Sequence, residues 1–505
     1  MAGRAYGWAR DSARSLVAMR ALRMGPTPCS FVGRASMYVH VGAPRAPPAR
    51  RGEVCAARRR PSAFSSRSGR RWCGSLRETQ SRASVLNMKT DLLRPQLPSA
   101  LYIHLPFCKK RCYYCDFAIT AVGEHSVNQP LPAPVEQRYA EYVTQLLKEI
   151  QQSIAGLRSR MQAHELPKLK TLYLGGGTPS LLPIRYLEDI MALLRAELGF
   201  EPDIEITMEM DPGTFDVALA RSFKQLGVTR ASVGCQSFSD RLLSICGRAH
   251  NTDDIYRAID ALHSAQFDVY SLDLISGLPG QSLEDWHESL RCVERIAPVH
   301  VSTYDLELAS STKFGRLYKP GESPLPSDED AALMYKESIS FLNSIGILHY
   351  ETSNFARPGF ESRHNQVYWR NEAYYGFGMG STSYVEGKRV TRPRTLRAYY
   401  DWVDQYALLN GTLDDSATDL AEQLEDTLML GLRRVSGVDL AALEGTFGVP
   451  VQQVLCAASE RFLVDGRAQL SGSVLSLRDP EGFLFQNDIL SDLLLALERA
   501  ALFKR

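Results

Sequence analysis

The chain has 505 residues, 44% of them hydrophobic and 23% charged, enough to bury the core of one large domain and a smaller one. It holds no run of about 18 uncharged apolar residues, so no membrane-spanning helix is expected. The formal charge of +1 hides an asymmetry: residues 1–90 carry 18 Lys and Arg against three acids, and the rest carry a net charge of −14. An acidic body argues against a nucleic-acid partner.

Residues 1–95 are rich in Arg, Ser, Ala and Pro and nearly lack acids, with Arg4, Arg10, Arg14, Arg20 and Arg23 spread along the start. That composition predicts an organellar transit peptide, cleaved between residues 60 and 95. The alternative is a disordered basic arm that binds RNA or membrane. Three of the ten cysteines lie in this leader; the other seven cluster only at Cys108, Cys112 and Cys115. An odd number with one cluster argues for a reducing compartment rather than a disulfide framework.

Beyond the leader, short apolar runs alternate with helical periods. Strands are expected over 100–107, 168–174, 203–209, 230–234, 267–275 and 300–306. Helices are expected over 135–154, 184–198, 216–226, 239–246, 253–265, 283–296 and 329–345. Six strand-then-helix units predict an α/β fold with a parallel sheet, either a partial barrel or a doubly wound sheet. Residues 346–398 read as Gly-rich and aromatic loops, and the string Gly376–Gly380 as one of those loops. From 399 to 505 helices (420–432, 440–447, 451–463), a hairpin over 468–477 and a closing helix over 488–502 predict a winged-helix-like second domain.

The segment YIHLPFCKKRCYYCDF sets Cys108, Cys112 and Cys115 at C-x3-C-x2-C, directly after the first strand. A cubane iron–sulfur cluster takes four thiolates. Three on one tight loop therefore leave one iron open to a small ligand, and the amino and carboxylate groups of S-adenosylmethionine can chelate it. Lys109, Lys110 and Arg111 are expected to place positive charge beside the anionic cluster. The competing reading is a structural zinc site, but no second cysteine pair follows, and only His104 lies near enough in sequence to complete one.

In parallel strand–helix barrels, ligands bind at the carboxyl ends of the strands. Here the second strand ends in Gly175-Gly176-Gly177-Thr178, the third in Glu209, the fourth near Gln236 and Ser237, the fifth at Asp273 and the sixth at Asp305 and Glu307. Each taken alone has a structural explanation, as a turn, a cap or a solvated acid. Their shared placement points to a site.

The segments YIHLPFCKKRCYYCDF, LYLGGGTPSLL, ITMEMDPGTF, RASVGCQSF, LDLISGLPGQ and HYETSNFARPG…HNQVYW, in this order, resemble a radical-SAM group. Its two branches are the oxygen-independent coproporphyrinogen III oxidases of the HemN type and the heme chaperones of the HemW type. The resemblance runs from about residue 98 to the C terminus. It implies a partial (β/α)6 TIM-like radical-SAM barrel over 96–345, an extension with an HNxxYW loop over 346–398, and a C-terminal helical, winged-helix-like domain over 399–505.

The resemblance further implies a [4Fe–4S] cluster on Cys108, Cys112 and Cys115. S-adenosylmethionine contacts would come from Tyr102, Gly176, Gly177, Thr178, Glu209, Gln236, Arg248 and Asp273. The oxidases carry a further cysteine two residues after the third; here that position is Phe117. This ending and HNQVYW resemble the chaperone branch, whose motif would make His364 an axial heme ligand. Without the family, His364 reads as a surface or helix-capping histidine. The resemblance leads to the expectation of a heme chaperone that serves cytochromes or other hemoproteins, with ferredoxin or flavodoxin as electron donor and no catalytic residue assigned. Coproporphyrinogen oxidase activity is not expected. The CYYCDFAITAVG stretch resembles cyanobacterial members, which favours a plastid over a mitochondrion.

Overall fold

The computed structural model describes residues 97–124, 130–161, 166–409 and 419–502. The expected transit peptide lies outside the described residues. Every residue of β1 (Ala100–Leu105) is buried, as a strand covered on both faces of a parallel sheet must be. β1 runs into a short parallel pair, β2 (Phe107–Cys108) and β3 (Thr120–Ala121), which closes the base of the cysteine loop.

Five more strands follow: β4 (Leu169–Gly176), β5 (Phe200–Met210), β6 (Arg230–Gln236), β7 (Tyr270–Ser276) and β8 (His300–Asp305). β1 and these five lie side by side in chain order, each neighbouring pair parallel. Helices Ala133–Met161, Ile184–Glu197, Val217–Leu226, Thr252–Ser264 and Leu283–Ile296 connect them. The boundaries follow from local chemistry. Ser282 caps the last of these helices in a reciprocal box with Asp285, and Gly227 ends the Val217–Leu226 helix at φ 104°. The six expected strand–helix units are all observed.

Among the described residues the sheet has nine strands, three of them unexpected. β9 (Leu348–Glu351) and β10 (Asn354–Ala356) extend it antiparallel beyond β8, and β11 (Tyr375–Phe377) joins β1 in parallel at the other edge. The Gly376–Gly380 string is therefore part strand, not simply a loop. Its glycines are needed for close approach. A Cβ on Gly376 would meet the Thr382 carbonyl oxygen at 2.1 Å, where the chain turns back into the hairpin of β12 (Thr382–Val385) and β13 (Lys388–Thr391). Gly378 has φ 98°, and a Cβ there would lie 2.6 Å from both the His104 carbonyl oxygen and the Tyr142 hydroxyl. The HNxxYW segment, expected in a loop, is the short helix Arg363–Trp369. Ser362 Oγ caps it by accepting from Asn365 N, and Val367, Tyr368 and Trp369 are buried on its inner side.

The C-terminal part runs helix Leu420–Gly431, β14 (Val438–Asp439), helices Leu440–Phe447 and Val451–Val464, then β15 (Ala468–Ser471) and β16 (Val474–Leu477), with sheet order β14-β16-β15. That is a winged-helix-like order, closed by helix Gln486–Ala500. One apolar core continues from the barrel into it, including Leu101, Leu272, Leu432, Leu475 and Leu493. Among the described residues no helix is long and apolar enough to cross a membrane.

A buried ion pair fastens the β11 edge to the first helix. Arg392 Nε donates to Glu149 Oε1 at 2.7 Å, while Gly378 N and the Tyr399 hydroxyl donate to Glu149 Oε2 at 2.9 and 2.6 Å. Both oxygens of this carboxylate face a donor or a cation, so Glu149→Ala strands Arg392 in the core. The expected cost is about 3–5 kcal/mol in urea or thermal unfolding, with a smaller loss for Glu149→Gln.

Candidate functional site

The cysteine loop is tied down from three sides. His104, at the end of β1, donates from Nε2 to the Ala118 carbonyl at 2.8 Å and accepts from the Tyr102 hydroxyl on Nδ1 at 3.1 Å. Burial lowers its pKa to about 4, so the ring is a neutral strut. Both of its nitrogens are spent, which removes the fourth ligand that a zinc site would have needed. Arg111 donates to the carbonyls of Cys115, Phe117 and Ile119, each at 3.1 Å. Gly177 N and Thr178 N donate to the carbonyls of Leu105 and Phe107 at 2.8 and 2.7 Å, joining the glycine turn to the loop's base.

The glycine turn differs from expectation in what its missing side chains achieve. A Cβ on Gly176 (φ 114°) would lie 2.6 Å from the His104 ring, and one on Gly177 2.6 Å from the Pro106 carbonyl carbon. The absent side chains thus let the turn press against β1; any ligand is approached by a loop already seated there.

An open cavity lies at the mouth. Cys108, Cys112 and Cys115 line it, together with Tyr102, Gly176, Gly177, Thr178, Glu209, Gln236, Arg248 and Asp273. Eleven of the twelve residues that the family resemblance assigned to the cluster, S-adenosylmethionine or heme thus share one wall. Thr178 Oγ1 donates to Cys108 Sγ at 3.6 Å and Arg248 Nη1 to Cys112 Sγ at 3.4 Å. Burial pushes the Cys108 and Cys115 thiols up, the latter to about 11, so a coordinating cation is what would take their protons. The thiols are turned to separate partners, and among the described residues no three His, Cys, Asp or Glu side chains form a preformed metal cage.

The donor set nonetheless fits a cluster with one open iron. Of the described cysteines, these three face the cavity, and beside them lie buried polar atoms without partners. Gln236 is held at φ 67° with its Oε1 unpaired, and Asn365 Oδ1 is likewise unpaired. Glu209 accepts from Gly176 N at 2.8 Å and the Tyr173 hydroxyl at 3.1 Å. Burial raises its pKa to about 7, and the nearby negative charge of Asp273 adds to the rise. Asp273 is also raised by burial, against hydrogen bonds from Ser232 at 2.6 Å and Ser271 at 2.9 Å.

His364 stands apart from this wall. It is fully buried, with Nδ1 2.9 Å from Thr171 Oγ1 and Nε2 2.7 Å from the Tyr368 hydroxyl, and burial lowers its pKa to about 3. It is neither a surface nor a capping histidine. Its neighbour Asn365 lines the cavity instead. Asp305 bonds Ser276 at 2.6 Å and does not reach the cavity wall. The cation on a cysteine sulfur is Arg248, whereas Arg111 turns to loop carbonyls and Lys109 to the Gly213 carbonyl at 2.9 Å.

Sequence reasoning missed Asp211, Tyr304 and Asn365, all on the wall. Asp211 was within reach: it follows Glu209 by two positions at the end of β5, and strand residues two apart share a face.

A parallel half-barrel whose first strand ends in this cysteine triplet and whose second ends in Gly-Gly-Thr defines a radical SAM protein. The Radical SAM superfamily model matches residues 102–293, and the HemN C-terminal domain model matches residues 418–485. The chain is 40% identical over 417 residues to "Heme chaperone HemW" of Synechocystis sp., covering 80% of this chain and 98% of that protein. It is 30% identical over 381 residues to "Radical S-adenosyl methionine domain-containing protein 1, mitochondrial" of Mus musculus, covering 73% and 81%. The solved structure of coproporphyrinogen III oxidase (HemN) from Escherichia coli shares the fold, with TM-score 0.64 and 21% identity over 83% of this chain and 93% of that one. The chain belongs to the HemW family. Radical SAM membership implies a [4Fe–4S] cluster and S-adenosylmethionine.

A cationic ligand group resting on Glu209 should bind more tightly as pH rises. With a pKa of about 7, the ionised fraction climbs from about a tenth at pH 6 to about nine-tenths at pH 8. Titrating S-adenosylmethionine into the reconstituted protein, followed by its effect on the cluster spectrum, should show this rise. Glu209→Gln should bind weakly with a flat profile.

Proposed function

We propose that the protein is a radical-SAM heme chaperone, which binds heme and passes it to cytochromes or other hemoproteins. The observation that carries this is the match across 98% of a heme chaperone. Phe117 on the cavity wall, where the oxidase branch has a further cysteine, supports it. In this reading Cys108, Cys112 and Cys115 hold the cluster. Tyr102, Gly176, Gly177, Thr178, Glu209, Gln236, Arg248 and Asp273 hold S-adenosylmethionine. When bound, the pair supplies one-electron cleavage of a sulfonium bond to give a carbon radical. The chain's share is to present three thiols, to offer carboxylates to the ligand's cationic groups, and to keep Phe117 and Tyr102 as apolar surface beside them. Ferredoxin or flavodoxin is the proposed electron donor.

His364 is the proposed axial heme ligand, on a condition that its surroundings impose. A neutral imidazole is the ligating form, and the depressed pKa keeps the ring neutral. Both nitrogens are engaged, so the Thr171 or Tyr368 bond has to open before the ring reaches iron. A plastid location is proposed over a mitochondrial one. The acid-poor leader supports an organelle, and 40% identity to the cyanobacterial protein against 30% to the mouse mitochondrial one supports the choice. Fusing residues 1–95 to a fluorescent protein tests it.

The deciding assay incubates the anaerobically reconstituted protein with coproporphyrinogen III, S-adenosylmethionine and a reductant. No protoporphyrinogen IX is expected; its formation would make the protein an oxidase and sink the chaperone reading. Cys108→Ala should lose the broad iron–sulfur absorbance. Heme titration should show His364→Ala binding at least about tenfold more weakly, about 1.4 kcal/mol, and unchanged affinity removes His364 as the ligand.

A further inference from the structure

A buried histidine sits one side chain behind the cysteine loop. His250 lies in the turn before helix Thr252–Ser264, is 5% exposed, and is not among the cavity-lining residues. Its Nδ1 is 2.7 Å from Asp211 Oδ1 and its Nε2 is 3.2 Å from the Cys235 carbonyl oxygen. Both partners are acceptors. A carbonyl has no proton to give, and Asp211 is held below the usual carboxylate range: burial works to raise it, but Arg248 and His250 together prevail. Arg248 Nη2 lies 3.4 Å from the same Nδ1, so the ring touches both members of the Asp211–Arg248 pair.

The second Asp211 oxygen accepts from Arg248 Nη2 at 2.8 Å. Arg248 Nη1 then reaches Cys112 Sγ at 3.4 Å and the Tyr114 hydroxyl at 3.2 Å. One carboxylate thus binds a buried guanidinium and a buried imidazole, and the other nitrogen of the guanidinium is directed at a cysteine sulfur. In low-dielectric surroundings such charge acts strongly over these distances.

We propose that His250 is a positioning residue for the cluster: with Asp211 it holds Arg248 against Cys112, and the guanidinium charge and N–H donor held there make the cluster easier to reduce. Reduction adds one electron, from an external donor, to a cluster already carrying thiolate charge. Net charge and hydrogen bonds to sulfur set the potential of such clusters, so a buried cation and an N–H donor at Cys112 both raise it. The inference rests on the reading that Cys108, Cys112 and Cys115 carry a [4Fe–4S] cluster.

The test is a potentiometric titration of the anaerobically reconstituted full chain with dithionite and mediators, followed by the electron paramagnetic resonance signal of the reduced cluster. His250→Gln moves the side-chain donor away from the Nδ1 position that meets Asp211, loosens Arg248, and should lower the midpoint potential below wild type. His250→Asn, whose amide can stand at the Nδ1 position, should keep Arg248 in place and the potential near wild type. A disturbance of packing alone would move both variants. An unchanged or higher potential in His250→Gln overturns the proposal. If that variant takes up no cluster, His250→Asn decides, and a potential that falls there overturns it. A wild-type protein that assembles no cluster refutes the underlying reading instead.

Discussion

The mouth of the barrel depends on one buried cation. Arg248 joins Cys112 and Tyr114 of the cysteine loop to Asp211 at the end of β5 and to the Gly234 carbonyl of β6. A guanidinium out of water is tolerated only when its donors are met, and removing one partner leaves a costly buried charge. Loop, third strand and fourth strand therefore cannot shift independently. The neutral His104 strut and the glycine turn complete the clamp from the other side, so the loop is fixed by the protein before any ligand arrives.

Three buried histidines show how surroundings assign roles to one residue type. His104 faces a carbonyl and a hydroxyl, stays neutral and braces β1. His250 faces a carboxylate, a carbonyl and a guanidinium and braces the Asp211–Arg248 pair. His364 faces two hydroxyls, which can donate or accept, and desolvation alone drives its pKa down. None of these distinctions follows from the residue itself. They decide which ring braces a strand, which braces an ion pair and where a lone pair is held in reserve.

Much of the site was legible because its residues sit at strand ends, and a parallel sheet gathers strand ends at one face whatever its exact curvature. That rule placed Glu209, Gln236 and Asp273 correctly from periodicity alone, but Asp305 turned to Ser276 instead of the cavity. The glycine turn was legible as a close approach, not as to what approaches. The HNxxYW segment was legible as a motif, but its orientation was not: a helix capped by Ser362 turns His364 inward and leaves Asn365 on the cavity wall.

The sequence by itself determined the succession of strands and helices, the three-thiol loop and the basic leader. Each of these is written in local terms: periods of two and 3.6 residues, caps, spacing and composition. Only the tertiary structure decided that β11 pairs with β1, that β9 and β10 extend the far edge, and that Arg248 rather than the loop's own Lys109, Lys110 or Arg111 meets a cysteine sulfur. The first and last of those outcomes join residues more than a hundred positions apart, and the second joins residues about fifty apart. They are settled by which backbone donors and buried charges find partners in the folded chain, and no local pattern encodes that.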